Sequence, residues 1–370
     1  MENKETIIKL LAQAGIEIGG KNPRDITVHN DDLFHQVMAR GSLGLGKSYM
    51  DGWWDCEKLD EFFHRVLLAD IESQIKQNWL LLGNAVMARI LNMQSRKRAF
   101  RIGERHYDIG NDLFIRMLDK RMTYSCGYWW NAESLDEAQE QKLELICQKL
   151  GLQPGMRVLD IGCGWGSLAI YAAEKYQVKV TGITVSREQV ELARTLSGDL
   201  PVEIRLQDYR DINEKFDRIV SVGMIEHVGY KNYRTFMETA HRCLDDEGLF
   251  LLHTIGSLRS MTSVDPWINR YIFPDGMLPS IKQLGEAIEG LFVMEDWHSF
   301  GADYDRTLMA WHQNFENGWN ELKTAYDERF HRMWRYYLLS CAGSFRARKN
   351  QLWQIVLSRQ GVPGGYRSFR

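Results

Sequence analysis

Positive charge is in short supply: 46 Lys and Arg stand against 49 Asp and Glu, for a formal net charge of −3. Basic nucleic-acid-binding domains carry a strong positive excess, so this balance excludes a general polyanion binder, and any membrane attraction must come from local patches. Proline is scarce too, seven in 370 residues, and low-complexity tracts are missing, so with 44% hydrophobic residues the whole chain is expected to fold. The length makes two domains the default. Cys56, Cys126, Cys147, Cys163, Cys243 and Cys341 form no C-x-x-C pair, which leaves no zinc or disulfide signature and predicts free thiols. The opening MENKETIIKL has acids among its lysines and no apolar core, so it does not read as a signal peptide, and a cytosolic protein is expected. The longest apolar stretch, Trp79 to Leu91, is too short to span a bilayer and contains Arg89.

What is present falls into three stretches. Residues 1–75 read as a small α+β domain, with a helical pattern near Ile7 to Ala14, extended pieces at Ile16 to Ile18 and Ile26 to Val28, and two further helices. Within it, SLGLGKSYMDGWWD is rich in glycine but misses the Walker spacing, so a packed turn is expected there. Residues 76–104 form an amphipathic linker whose stripe Trp79, Leu82, Val86, Ile90 and Met93 precedes Arg96, Lys97, Arg98 and Arg101; this fits a lipid-facing segment and an interdomain helix equally. Residues 105–370 have the rhythm of a doubly wound α/β domain. A helix from Leu135 to Leu150 starts at a capping box, Ser134-x-x-Glu137. Strands then follow at Arg157 to Ile161, Val178 to Ile183, Val202 to Leu206, Arg218 to Val222 and Leu249 to Thr254, which implies a mainly parallel sheet. An irregular insertion runs from Thr254 to Ser280, and an Arg/Trp/Tyr-rich helical region is expected near Asn320 to Ala342.

The segment VLDIGCGWG, residues 158–166, places a glycine loop between a strand and a helix, where backbone amides can approach a ligand closely. Its spacing, Asp160-x-Gly162-x-Gly164-x-Gly166, differs from G-x-G-x-x-G. The next strand ends in Gly182-Ile183-Thr184 without the acid that a dinucleotide site uses to hold ribose hydroxyls, which weakens both a nicotinamide oxidoreductase and a generic methyltransferase reading. Asp208, after the third strand, sits where methyltransferases place an adenine contact. Ser186 and Gln189 also fit an S-x-x-Q capping box, a role that competes with ligand binding.

Eight segments, HYDIGNDLF, MTYSCGYW, VLDIGCGWG, TGITVSREQ, QDYRD, MIEHVG, LLHTIGS and GADYD, occur in an order that resembles the cyclopropane fatty acid synthase family, including the mycolic acid enzymes for the part after His106. SLGLGKSYMDGWW extends the likeness to the N-terminal domain of the phospholipid enzymes. The resemblance implies a class I S-adenosylmethionine methyltransferase fold and a cofactor pocket of Tyr124, Ser125, Asp160, Gly162, Cys163, Gly164, Gly166, Thr184, Gln189, Gln207 and Asp208. It further implies a catalytic bicarbonate held by Glu226, His253, Tyr304 and the backbone amides of Cys126 and Ile255, with no metal. Cys341 matches a cysteine sometimes placed in such active sites, although a buried inert thiol suits it better. The implied partner is unsaturated phospholipid, met by transient binding at the inner membrane face by a cytoplasmic homodimer, without nucleic acid. Trp267, Tyr271, Ile272, Phe273 and Met277 in the insertion fit an acyl tunnel as well as they fit a core. A related lipid methyltransferase that adds a methyl branch, or a non-catalytic lipid-surface protein on the same fold, would share most of these features.

Overall fold

The computed structural model describes residues 2–71 and 110–370. The linker expected over 76–104, and the first residues of HYDIGNDLF, lie outside the described residues. The chain divides into two compact units, one made of Met1–Leu91, Ser263–Pro274 and Tyr304–Asn350, the other of Asn92–Thr262, Asp275–Asp303 and Gln351–Arg370.

In the first unit, helices Glu2–Gln13, Asp32–Arg40, Ser42–Met50 and Leu59–Leu68 accompany a small antiparallel pair, β1 (Ile26–Val28) and β2 (Trp54–Cys56), in which Ile26 faces Cys56 and Val28 faces Trp54. The piece expected at Ile16 to Ile18 adds an isolated bridge from Ile18 to Ile26. The glycine-rich stretch at Ser42 is a helix and not the turn its composition suggested, because its glycines serve close packing. A Cβ on Gly44 would lie 2.1 Å from the Gln36 carbonyl oxygen, and one on Gly46 would lie 2.4 Å from the Trp267 indole. The helical region expected near Asn320 is two helices, Asp303–Leu322 and Glu328–Arg346. Asp327 caps the second, its carboxylate accepting the Phe330 amide at 2.7 Å. Trp54, Phe62, Trp267, Trp311 and Trp334 are fully buried here. Arg332 donates to the Tyr49 and Trp54 carbonyls at 2.6 and 2.8 Å, and Arg346 bridges Asp60 and Asp305, so the late helix is tied to the early chain by charge as well as by apolar burial.

The second unit holds β3 (Arg157–Ile161), β4 (Lys179–Thr184), β5 (Val202–Leu206), β6 (Phe216–Val222), β7 (Leu244–Ser257), β8 (Val293–Ser299) and β9 (Asn350–Ser358) in one sheet, ordered β5-β4-β3-β6-β7-β9-β8. From β5 to β7 neighbouring strands are parallel, while β8 and β9 pair antiparallel. The chain moves outward from β3 first toward β4 and β5, then the opposite way to β6 and β7. This leaves a crevice at the carboxyl end of β3, the switch point where open α/β sheets bind ligands. Side chains alternate across β3: Val158 enters one apolar cluster with Leu143, Ile146 and Val180, and Leu159 and Ile161 enter the other with Ile219, Phe236 and Phe250. Burial on both faces explains why β3 reads as a nearly continuous apolar run. The helix Leu135–Lys149 begins at the expected box, with both Ser134 and Glu137 bonds formed. β7 begins five residues earlier and ends three later than its apolar core suggested.

Candidate active site

At the end of β3 the chain turns through Gly162, Gly164 and Gly166, whose φ values are 86°, 56° and 84°. Left-handed backbone of this kind favours glycine. The Gly162 and Cys163 amides donate to the Ile183 carbonyl at 2.9 and 3.1 Å, which fastens the loop to β4. A Cβ on Gly164 would meet nothing within 4 Å, so the loop offers open space there. Gly182 has the opposite reason for being glycine: a Cβ would lie 2.9 Å from the Cys163 sulfur.

Three expected cofactor residues are linked beyond this loop. Thr184 Oγ1 donates to Gln189 Oε1 at 2.8 Å, and the Gln207 amide donates to the Thr184 carbonyl at 3.0 Å. Ser186 caps the helix Arg187–Ser197 by accepting the Gln189 amide, yet the Gln189 side chain turns to Thr184, so only half of a capping box forms. Asp208 is buried and paired with Arg210 through bonds of 2.7 and 2.6 Å. On the other side, the Tyr124 ring packs edge-on to Phe114 at 5.1 Å, Phe114 lies 4.9 Å from the Trp165 ring, and Trp165 donates to Asn111 Oδ1 at 3.1 Å. Three separate motifs therefore meet at the glycine loop.

Two residues that the sequence reading missed support this wall. Lys142 donates to Ser125 Oγ at 2.8 Å, and Gln139 donates to the Ser125 carbonyl at 2.7 Å, all of them buried. Burial pushes the Lys142 ammonium down to about 8, opposed by nearby Asp119 and Asp160. Burial raises Asp160 to about 7, with Lys142 opposing. The available signal was a lysine on the face that also carries Ala138, Leu145 and Ile146.

Glu226 lies in a short 3-10 turn, Ile225–His227, after β6, and its Oε1 accepts the Ile255 amide of β7 at 2.7 Å. The Glu226 carbonyl accepts the Met277 amide at 2.7 Å, which holds the turn from behind. Burial raises the Glu226 carboxyl to about 7, and the Ile255 hydrogen bond only partly offsets this. His253, two residues before Ile255, is buried with its Nδ1 3.3 Å from Gln354 Nε2. With the Gln354 amide nitrogen as the donor, Nδ1 accepts, the arrangement that puts the imidazole proton on Nε2. Burial, together with Lys142, Lys149 and His298, holds His253 well below the usual imidazole range and keeps it neutral. Glu226 Oε2 and His253 Nε2 are both buried without a hydrogen-bond partner among the described residues, an acceptor and a donor left open.

Cys126 is buried, and its thiol donates to the Gly127 carbonyl at 3.1 Å. Tyr304 belongs to the other unit, where it packs 4.6 Å from Phe345 and 5.9 Å from Trp311. Cys341 is also in that unit, its thiol pushed up to about 12 by burial and so protonated at neutral pH. Of the insertion residues, Trp267 is a core residue, 4.4 Å from Tyr336, while Met277 joins the apolar cluster around Phe236.

An open glycine loop at the switch point of a mainly parallel sheet in this order is the architecture of a class I S-adenosylmethionine-dependent methyltransferase. Comparison with known proteins narrows the class. The chain is 57% identical over 362 residues to the cyclopropane-fatty-acyl-phospholipid synthase of Escherichia coli (strain K12), covering 98% of this chain and 94% of that one. It is 31% identical to the tuberculostearic acid methyltransferase of Mycobacterium tuberculosis (strain ATCC 25618 / H37Rv), covering 96% of this chain and 88% of that one. The crystal structure of a mycolic acid cyclopropane synthase complexed with SAH and CTAB superposes with a TM-score of 0.65 at 34% identity, covering 70% and 97%. The profile of the mycolic acid cyclopropane synthetase family matches residues 94–355, and the chain belongs to that family.

Proposed function

We propose that the chain methylates the cis double bond of an unsaturated phospholipid acyl chain and closes it to a cyclopropane ring, with a bicarbonate ion assisting proton loss. The observation that carries this reading is the pair of unpartnered buried atoms, Glu226 Oε2 and His253 Nε2. Bicarbonate is a small anion that both accepts and donates hydrogen bonds, and an imidazole N–H with a carboxylate oxygen suits both of its roles.

When bound, S-adenosylmethionine supplies an electrophilic methyl group and bicarbonate a small mobile base. The chain's own groups do the rest. The open face at Gly164 admits the cofactor, and Tyr124, Ser125, Thr184, Gln189, Gln207 and Asp208 orient it, since alignment is the main demand when the nucleophile is a weak alkene. His253 donates through Nε2, Glu226 accepts through Oε2, and the amide of Cys126 completes the proposed anion site within this unit, to which the family resemblance adds the Tyr304 hydroxyl. Ile255 already gives its amide to Glu226, so it acts here by fixing that carboxylate. Glu226 is then an orienter, and neutral His253 is a donor and not the base.

Lifting an acyl chain free of the bilayer into water, ~10 methylenes at about 0.8 kcal/mol each, would cost on the order of 8 kcal/mol, so catalysis requires an apolar path continuous with the membrane. Peripheral association with the cytoplasmic face, the homodimer and the division into an N-terminal domain, linker and catalytic domain belong to the same proposal. The likeness to a tuberculostearic acid methyltransferase favours one alternative, a methyl branch on the same chain. Incubation with labelled S-adenosylmethionine and unsaturated phospholipid vesicles, followed by mass analysis and proton NMR of the acyl chains, tests both. Ring protons establish the proposal, a branched product replaces it with the alternative, and an unlabelled lipid fraction refutes both.

A further inference from the structure

Immediately beyond β7, the strand that carries His253 and Ile255, the second unit exposes three large apolar side chains: Leu258 at 63%, Met261 at 44% and Ile281 at 60%. They come from two segments fastened to each other. The Ser257 amide donates to the Pro279 carbonyl at 2.8 Å, the Ser260 and Ser280 hydroxyls are 2.8 Å apart, and Gln283 Nε2 donates to the Met261 carbonyl at 3.1 Å. Ser280 and Gln283 form a complete capping box at the start of the helix Ile281–Ile288, which fixes Ile281 in the first turn while Leu284, Ala287 and Ile288 are buried. The exposed side chains thus stand on a fixed frame. Arg259 and Lys282 lie among them, both exposed, and Lys282 has Glu286 3.8 Å away on the outer face of the helix.

We propose that Leu258, Met261 and Ile281, flanked by Arg259 and Lys282, form a docking surface for an anionic phospholipid bilayer. The inference rests on the phospholipid substrate proposed above and gives it a place of arrival. Three apolar tips interleaved with cations match an interfacial lipid contact, in which side chains enter the acyl boundary and basic groups stay at the headgroups. The patch falls short of a second protein's needs, because stable protein interfaces bury about 800 Å² on each partner around an uncharged centre. Leu258 is three residues from Ile255, so a bilayer held here lies against the end of the strand that carries the proposed anion site.

The test uses the full chain and vesicles of unsaturated phosphatidylglycerol and phosphatidylcholine. L258E/I281E is expected to lose about tenfold or more of its vesicle affinity in flotation, with a matching fall in turnover on vesicles. Its S-adenosylmethionine affinity by calorimetry, and its turnover on the same lipid dispersed in detergent, should stay near wild type, which shows that the variant is folded. R259Q/K282Q should weaken binding to anionic vesicles while leaving binding to pure phosphatidylcholine unchanged. Flotation of L258E/I281E equal to wild type overturns the proposal, as does conversion of a wild-type dimer to a monomer by that variant, which would assign the patch to a second copy. A wild-type chain that modifies the lipid in neither form refutes the proposed function instead, so the two failures are told apart.

Discussion

Replacing Glu226 by glutamine separates the two consequences of burying that carboxyl. Burial moves its pKa from 4.5 to about 7. Between those values the folded chain keeps a proton that the unfolded chain has released, so this group's contribution to stability falls as pH rises through the window and is level above it. At about 1.4 kcal/mol per pH unit the loss is ~3 kcal/mol. Glu226→Gln carries no such charge. The two proteins should therefore have similar denaturant stability near pH 5, where Glu226 is protonated, and the variant should be the more stable by up to ~3 kcal/mol at pH 8. Activity should move the other way. The amide still accepts the Ile255 N–H, but it removes the charged acceptor at Oε2, a loss of ~1.5 to 3 kcal/mol, or about 10- to 150-fold in kcat, with S-adenosylmethionine affinity nearly intact. Removing dissolved bicarbonate should slow the wild type comparably, and adding it back should rescue the variant only in part. Parallel stability curves from pH 5 to 8 would refute the buried ionisation, and equal turnover in bicarbonate-free and supplemented buffer would refute the anion site.

Gly164→Val puts a branched side chain at a φ of 56° and into the open space of the loop, so calorimetry should find no S-adenosylmethionine binding by a folded variant; unchanged affinity would remove that loop from the cofactor site. Gly256→Ala drives a Cβ to 2.1 Å from the Trp353 ring on the strand that carries His253 and Ile255, and should cost about 1 to 3 kcal/mol in denaturant unfolding together with part of kcat. Ser134→Ala removes one arm of the capping box on the helix that carries Lys142 and should lower stability by ~1 kcal/mol, read as a shift in denaturation midpoint at constant slope.

β3 was legible because it is buried on both faces, and Arg157–Ile161 matches its apolar run residue for residue; Val202–Leu206 was legible from alternation instead, with Glu203 and Arg205 set between Val202, Ile204 and Leu206. β7 was underestimated, since its ends, Leu244 to Gly248 and Ile255 to Ser257, mix acids, glycines and serine that carry no strand pattern. The helix at Ser42 was hidden by glycines whose purpose is contact with Gln36 and Trp267, which propensity cannot register. In the site, the glycine loop and the Thr184, Gln189 and Gln207 group could be picked out by motif. Lys142 and Gln354 could not, because each looks like an ordinary polar residue until the fold sets it beside Ser125 or His253.

The first unit is stitched from chain ends that leave the ribosome far apart in time. Tyr49, Trp54, Phe62 and Phe63 are made early, yet the helix that contributes Trp334, Tyr336 and Phe345 emerges only after the six strands β3 to β8 have been made. At ~5 to 20 residues per second the early aromatics wait roughly 15 to 55 seconds for that helix. The parallel sheet must wait as well, because β9, which fills the place between β7 and β8, is made last of its strands. Neither half can close before the helix Glu328–Arg346 and β9 have been made, so the nascent chain carries uncovered apolar surface until then, and its yield in the cell should depend on chaperone capacity more steeply than that of a protein whose units are contiguous in sequence.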